Sequence, residues 1–421
     1  MKKAIIITPG TGSSIDRIGD MLFEYINNNR PRDWVAYKIH HQPYGDYEIA
    51  DPDGYKARYP GMDILCERVE ANPLTVFHSH IWYPLSLDEN EEEWLERLRS
   101  FRTTARDYEI TGSSPLAYTV HSLAAWEMEQ SPYNKPSYIE RLINCINGGR
   151  NRKKRIEIFK SAVPAKTQEK WLRVADKIVC VSRFTKQLVE ELYPKYEDKC
   201  IVIPNGTDYF ELNEERVREE MGAFIKEHGM KHNILYVGRV VRDMGVPELV
   251  KAFKKLSKRY ENLRLVIVGD GNLLDDPEIR EMKEKGSVLV LGHIDSREKI
   301  AALYRCSITV VKPSYHDTFN LVAAEALTQG ILPVVSNVDG PKEYWVDTGV
   351  AVGIIPGEVD SIYRGIKWVI DNPHEAQRRA RRGRELVKHR YTSQIMSESH
   401  IDLYEEMLKK LTLKARPVLY N

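Results

Sequence analysis

Short, nearly unbroken apolar runs recur along this chain. A first series lies at Ala4–Thr8, Leu74–His78, Leu116–His121, Lys177–Ser182 and Ile201–Pro204. A second follows at Asn233–Gly238, Leu263–Gly269, Val288–Gly292, Ile308–Pro313 and Ile331–Ser336. These runs are rich in Val and Ile and lack polar alternation, which is how strands covered on both faces by helices read. Helical patterns separate them, and a βαβα order implies parallel sheets with right-handed crossovers. The predicted fold class is α/β with two Rossmann-like sheets. The polar, helix-like segment 209–231 reads as the link between the two sets. Ligands of open parallel sheets bind beyond the carboxyl ends of the strands, so two facing sheets would place one site in a cleft between domains.

The tail carries a different pattern. Glu375 to Lys388 reads as a basic helix, with a break near Tyr391-Thr392-Ser393. A second amphipathic helix then runs to about Leu411, with Ile395, Ile401, Tyr404 and Leu408 at roughly helical spacing. No internal repeat or low-complexity stretch interrupts this order.

Composition narrows the classes. At 421 residues and 42% apolar, the chain is long enough for two cores. Its net charge is +1, from 62 basic and 61 acidic residues, so the whole molecule has no bias toward nucleic acid or an anionic membrane. The five cysteines (Cys66, Cys145, Cys180, Cys200, Cys306) contain no CxxC pair. No disulfide framework or zinc site is expected, and a reducing cytosol suits them. The apolar run after Met1-Lys2-Lys3 meets Pro9-Gly10 too soon for a signal peptide, and no apolar run reaches the ~18 residues of a membrane span.

Chemistry concentrates in the second half. In the stretch from Pro313 to Leu327, a strand ends at Pro313, a short loop carries Asp317, and a helix starts near Asn320. Seven residues separate Asp317 from Glu325. Free amides at the helix start, around Asn320, Leu321 and Val322, are a ready phosphate site. Glu325 could accept hydrogen bonds from ribose hydroxyls, and Asp317 from a sugar. The alternative is an N-capping aspartate with a solvated helix glutamate, although Glu325 stands within the apolar stretch Val322–Leu327.

This segment resembles the EX7E element of the retaining glycosyltransferase family 4, with Asp317 in place of the first glutamate and Asn320 in place of a glycine. The shorter Asp317 changes the reach to a sugar by one methylene, which bears on the donor sugar more than on the reaction class. Ile234 to Leu249 resembles the family's Gly-Arg element. There an arginine, here Arg239, and a lysine before a later glycine clamp the diphosphate. Met244 stands at the lysine position, and Arg242, Lys312 or His316 could supply the charge instead.

Further segments follow in the family's order. Gly269 and Gly271 form a tight turn after a strand, and Leu291-Gly292-His293-Ile294 resembles the base-contacting loop. Asp339-Gly340-Pro341-Lys342-Glu343 resembles a Gly-Gly-x-x-Glu turn with one glycine replaced, and Ile203 to Asp208 resembles the hinge. In the first half, Gly10, Gly12 and Ser13 lie in a glycine-rich loop after the first strand, without the third glycine of a dinucleotide fingerprint. His121 ends a strand where the family's histidine faces the donor sugar. Ser182 and Arg183 resemble acceptor-side residues, and His80 is assigned to the acceptor rim or to a structural role.

The resemblance covers nearly the whole chain. It implies a GT-B fold with an acceptor-side domain over 1–208, a nucleotide-sugar domain over 209–394, and a final helix, 395–421, returning to the first domain. It implies transfer of a hexose-type sugar from a nucleoside-diphosphate sugar, UDP ahead of GDP or ADP, to a hydroxyl of a saccharide, sugar phosphate or lipid-linked acceptor. Configuration would be retained, and no metal or other cofactor is required. The predicted catalytic residues are His121, Arg239 and Asp317. Donor contacts fall to Gly10, Gly12, Arg239, Arg242, Gly269, Gly271, His293, Ile294, Asp317, Phe319, Asn320, Leu321, Val322 and Glu325. The alternatives are a sugar phosphorylase, a nucleotide-sugar epimerase, or a binder without turnover. The cluster Arg150–Arg155, with five positive charges in six residues, could touch an anionic membrane or acceptor, against a solvated helix end. Arg378–Arg384 reads as surface. A cytoplasmic location is expected, with peripheral membrane contact allowed.

Overall fold

The computed structural model describes residues 2–8, 14–29, 31–41, 47–50, 56–59, 75–79, 116–121, 163–229 and 232–415. The described chain divides into two compact units, the second running from Thr207 to Thr392.

The first unit is built on β1 (Lys2–Thr8), β2 (Trp34–His41), β3 (Tyr47–Ala50), β4 (Lys56–Tyr59), β5 (Thr75–Ser79), β6 (Leu116–Val120), β7 (Lys177–Cys180) and β8 (Cys200–Val202). Among the described residues they form one sheet in the order β4-β3-β2-β1-β5-β6-β7-β8. Strands β2, β1, β5, β6, β7 and β8 run parallel, but β3 pairs antiparallel with β2 and β4 with β3. The parallel sheet that the sequence pattern implies thus carries an antiparallel hairpin at one edge, which the pattern did not mark. Lys38 and His40 interrupt the apolar run of β2, and Glu48, Lys56 and Arg58 mark the outer hairpin. A charged edge hides a strand from a search for apolar runs and also guards it against edge-to-edge pairing.

Helix α1 (Ser14–Asn29) packs Ile18, Leu22 and Ile26 into the core. Helices α2 (Val163–Val174) and α3 (Arg183–Leu192) follow. The last helix, Ser393–Ala415, belongs to this unit and packs on α1. Its Glu405 accepts a hydrogen bond from Trp34 Nε1 at 2.8 Å, and Tyr404 lies 5.5 Å from the Trp34 ring. The Gly206 amide donates to Met396 Sδ at 3.2 Å.

The second unit contains β9 (His232–Val237), β10 (Leu263–Val268), β11 (Val288–Gly292), β12 (Ser307–Lys312), β13 (Val334–Ser336) and β14 (Val352–Ile354). All pairings are parallel, in the order β11-β10-β9-β12-β13-β14. The chain lays β9, β10 and β11 outward in one direction, then restarts at β12 on the other side of β9. That junction is the topological switch point of a doubly wound sheet. Alternation explains the apolar runs: Ile234, Tyr236, Leu265 and Ile267 enter one core, and Leu235, Val266, Val268 and Val310 enter the other. The first core is shared with helices Val246–Ser257 and Val359–Asp371, the second with Glu214–His228 and Arg297–Arg305.

The segment expected to be a link is therefore part of this unit. Helix Glu214–His228 is capped by Asn213 and buries Val217 and Phe224 against the sheet. The break expected near Tyr391 separates helices Pro373–Arg390 and Ser393–Ala415. The unit's two ends lie side by side, with the Thr207 amide donating to the Tyr391 carbonyl at 2.9 Å.

Candidate functional site

The site grows from the carboxyl ends of the second unit's strands. The amide of Gly238, after β9, donates to Val268 O at 3.0 Å, and that of Gly269, after β10, to Gly292 O at 2.8 Å. Gly269 has φ of +126°, and a Cβ there would stand 2.1 Å from Gly238 O, so no side chain fits between these strand ends. Gly271 lies in the same turn, where Asp270 O accepts from the Val240 amide at 2.8 Å. The loop after β9 is in turn tied to the loop after β12, because the Tyr315 amide donates to Asp243 O at 3.0 Å. Ser336 Oγ donates to Ser314 O at 2.6 Å and anchors that second loop to β13.

Two of the resemblance's replaced glycines keep the backbone that glycine would supply. Asn320 has φ of +71° and Asp339 has φ of +52°. Asn and Asp are the side-chain-bearing residues that tolerate the left-handed region best. Asn320 also caps helix Leu321–Thr328, its Oδ1 accepting from the Ala323 amide at 2.9 Å. Asp317 sits just ahead and accepts from the amides of Phe319 at 3.2 Å and Asn320 at 2.9 Å. The phosphate site expected on the amides of Asn320, Leu321 and Val322 is thereby corrected: the Asn320 amide is committed to Asp317. The amides of Leu321 and Val322 remain for a ligand at the first turn.

The turn at Asp339 closes over Asp317. The Asp317 amide donates to Asp339 Oδ2 at 3.4 Å, and the Gly340 amide to Asp317 O at 3.2 Å. A Cβ at Gly340 would fall 1.8 Å from Thr318 O, so this contact is backbone on backbone. Burial raises the Asp317 carboxyl above its usual range, with Lys312 and the two accepted amides pulling the other way. Burial also raises Asp339, to about 7, with the neighbouring Asp317 charge adding to the effect.

The basic residues occupy the switch point. Arg239 and Arg242 are exposed in the loop after β9. Lys312, the last residue of β12, is buried at 8% exposure. Its Nζ lies 3.4 Å from Val237 O and 3.6 Å from Met244 Sδ, over the Tyr236 ring at 5.1 Å. Burial lowers the Lys312 ammonium to about 8; Arg239 adds to that shift, while Asp317 and Glu325 oppose it.

Glu325 is not a solvated helix glutamate. It is 4% exposed, and its Oε2 accepts from Tyr304 Oη at 2.9 Å. Phe319 was expected among the donor contacts, but its ring is 1% exposed within a cluster of Tyr344, Trp345 and Tyr391. Trp345 Nε1 donates to the Phe319 carbonyl at 2.7 Å, so Phe319 anchors the loop and offers no ring to a ligand. His293 is exposed and its Nε2 is 2.9 Å from Asp295 Oδ1, whereas Ile294 packs partly against the core.

In the first unit, His121 follows β6 and is half-buried. Burial pushes its imidazole down to about 3, with the His400 charge adding to the shift. Ser182 is corrected from the acceptor side to a structural role: it is fully buried and caps α3, accepting from the Thr185 amide at 3.0 Å. Arg183 beside it is exposed. Gly10, Gly12, Ser13, His80 and Arg150–Arg155 lie outside the described residues. On helix Pro373–Arg390, Glu375 pairs with Arg378 and Arg379, and Arg384 donates to Thr328 O at 2.7 Å. Among the described residues no three His, Cys, Asp or Glu side chains cluster as a metal site, and no helix is long and apolar enough to cross a membrane.

Sequence reasoning passed over Tyr304 and Trp345, which hold Glu325 and Phe319 from other elements. The only signal was their place in apolar, helix-like stretches, and that gives no partner.

Two family models match the chain. One, described as glycosyl transferases group 1, covers residues 217–386; the other, glycosyltransferase family 4, covers residues 55–209. Glycogen synthase of Mycobacterium tuberculosis is 28% identical over 239 residues, covering 56% of each chain. An uncharacterized glycosyltransferase of Methanocaldococcus jannaschii is 30% identical over 200 residues, 46% of this chain and 51% of that one. The match thus spans about half the length of these curated relatives. Among solved structures, sucrose-phosphate synthase from Thermosynechococcus elongatus aligns with a TM-score of 0.67 at 18% identity, over 97% of this chain and 100% of that one. Anabaena HepE, solved in complex with UDP-glucose, aligns at 0.60 and 13% identity, over 96% and 100%. The fold is of the GT-B class.

Proposed function

This chain belongs to the group 1, family 4 glycosyltransferases, and from that premise we propose that it transfers a hexose-type sugar from a nucleoside-diphosphate sugar to an acceptor hydroxyl with retention of configuration. The observation that carries this reading is the switch point of the second sheet. There Arg239, Asp317 and the first-turn amides of Leu321 and Val322 belong to the loops after β9 and β12, which the Tyr315 amide ties together through Asp243 O. Such a set suits a diphosphate joined to a sugar. As the bond from sugar C1 to the diphosphate oxygen breaks, the leaving group gains negative charge, and fixed cations and amides lower the energy of that state more than of the ground state. The acceptor oxygen bonds to C1, and its proton passes to the leaving phosphate, so no protein nucleophile is assigned. Arg239 supplies positive charge in this proposal, which requires no metal. Asp317 accepts from sugar hydroxyls, and Glu325 holds the nucleoside end from within. UDP is the favoured nucleotide, supported by the HepE complexes with UDP and UDP-glucose.

The test is release of nucleoside diphosphate from UDP-, GDP- and ADP-sugars in the presence of saccharide, sugar-phosphate and lipid-linked acceptors, with the product's anomeric configuration read by NMR. Acceptor-dependent release with a retained anomer supports the reading. An inverted product overturns the retaining assignment, and formation of a sugar phosphate from a saccharide and added inorganic phosphate, its glycosidic bond cleaved with no nucleotide donor, favours a phosphorylase.

A further inference from the structure

We propose that Lys312 is the second cation of the diphosphate site, reaching from the end of β12 into the space that a lysine at position 244 would occupy. This deepens the function proposed above and rests on it for the identity of the ligand.

The argument starts from an under-satisfied charge. Lys312 is 8% exposed, and among the described residues no carboxylate forms an ion pair with it. Its Nζ contacts are one carbonyl, Val237 O at 3.4 Å, the Met244 thioether at 3.6 Å and the face of the Tyr236 ring at 5.1 Å. An ammonium carries three donors, and a thioether sulfur is a weak acceptor. Burying a charge without full partners is costly, and such groups are retained where a ligand completes them.

Position decides which ligand. A Cβ built on Gly238 would lie 2.3 Å from Lys312 Nζ, so the ammonium rests on the backbone at the end of β9. It therefore sits at the switch point, one residue from Arg239 along the chain it covers. The Lys312 ammonium stands at the Gly238 backbone next to Arg239, and the Arg239 charge adds to the depression of Lys312. An anion with several oxygens answers both, and the helix at Leu321 starts from the loop after β12, which the Tyr315 amide ties to the loop after β9 through Asp243 O.

Met244 then has a reason. A second ammonium at 244 would stand against Lys312 in the free protein, whereas a neutral thioether fits beside it. The two positions reach one spot, so the cation can be exchanged between them.

The experiment titrates UDP, GDP, ADP and, separately, inorganic pyrophosphate into the full chain by calorimetry, for wild type, Lys312→Met and the exchange variant Lys312→Met/Met244→Lys. Lys312→Met is expected to weaken UDP binding by roughly 10- to 100-fold, as for loss of a charge-assisted contact, without lowering the melting temperature of the free protein. The exchange variant is expected to regain at least about tenfold of that loss. If Lys312→Met fails to fold, Lys312→Gln and the exchange variant carry the same comparison. UDP binding that is unchanged in the Lys312 variants overturns the inference and leaves the proposed function standing, as does a folded exchange variant with no recovery. Pyrophosphate binding that depends on Lys312, in a protein blind to UDP, GDP and ADP, supports the inference and sinks the proposed function. A wild type that binds none of them overturns both.

Discussion

Lys312 Nζ lies 3.6 Å from Met244 Sδ, which joins the end of β12 to the loop after β9 through one charge and one neutral sulfur. That contact bears on stability as well as on binding. The folded protein holds the Lys312 ammonium at about 8, below its ordinary 10.5. A depressed base opposes folding while it is charged, and that opposition disappears as pH rises through the interval from about 8 to 10.5. UDP affinity should run the other way. It is expected to fall as pH rises through about 8, by up to ~10-fold per unit for one required proton. A flat affinity from pH 7 to 10 would show that no such proton is used.

Arg239 is exposed and, among the described residues, enters no ion pair. Arg239→Ala is therefore expected to leave stability within about 0.5 kcal/mol. Donor binding should weaken by ~10-fold or more, from loss of ~1.5–3 kcal/mol of charge-assisted hydrogen bonding. Equal affinity in wild type and variant would remove Arg239 from the site.

Asn320 combines φ of +71° with a cap on the Ala323 amide. Asn320→Gly relieves the backbone and loses the cap, at a cost of ~1 kcal/mol or less. Asn320→Ala loses the cap and strains the backbone, costing roughly 2–3 kcal/mol in all. Urea denaturation measures both, and equal stability of the two variants would contradict the left-handed assignment.

Acid should weaken the first unit. Folding lowers His400 to about 4, through burial, and His121 to about 3, from an ordinary 6.5. Both stay neutral when folded and take up protons when unfolded. Their contribution is fully present above pH 6.5 and is lost as pH falls toward the folded values. The melting temperature is expected to drop between pH 7 and 5, and less steeply in His400→Leu. Identical slopes would show that His400 does not contribute.

The apolar runs of the second unit were legible because its strands are parallel and covered on both faces, so period and burial agree. The hairpin of β3 and β4 was not, since an edge exposes charge where the pattern asks for Val and Ile. At the site, spacing found Asp317, Asn320 and Glu325, because one loop and one helix carry all three. It missed Tyr304 on Glu325 and Trp345 on Phe319, contacts separated by 21 and 26 residues. Spacing also overcounted the open amides at Asn320, because an aspartate three residues earlier can turn its carboxylate back onto the backbone. It placed Ser182 toward an acceptor when the helix start needed that hydroxyl as a cap.

The most direct measurement of the central claim is a thermal-shift panel of UDP, GDP and ADP on the wild-type chain. A ligand that binds only the folded state stabilises it, by about 2.7 kcal/mol at 100 times its Kd. At least one nucleoside diphosphate, UDP first, is expected to raise the melting temperature by ~2–4 °C at that concentration, and Arg239→Ala to cut the shift by about half or more. No shift with any of the three, at millimolar concentration, would contradict a nucleotide-sugar site at the end of β9 and β12.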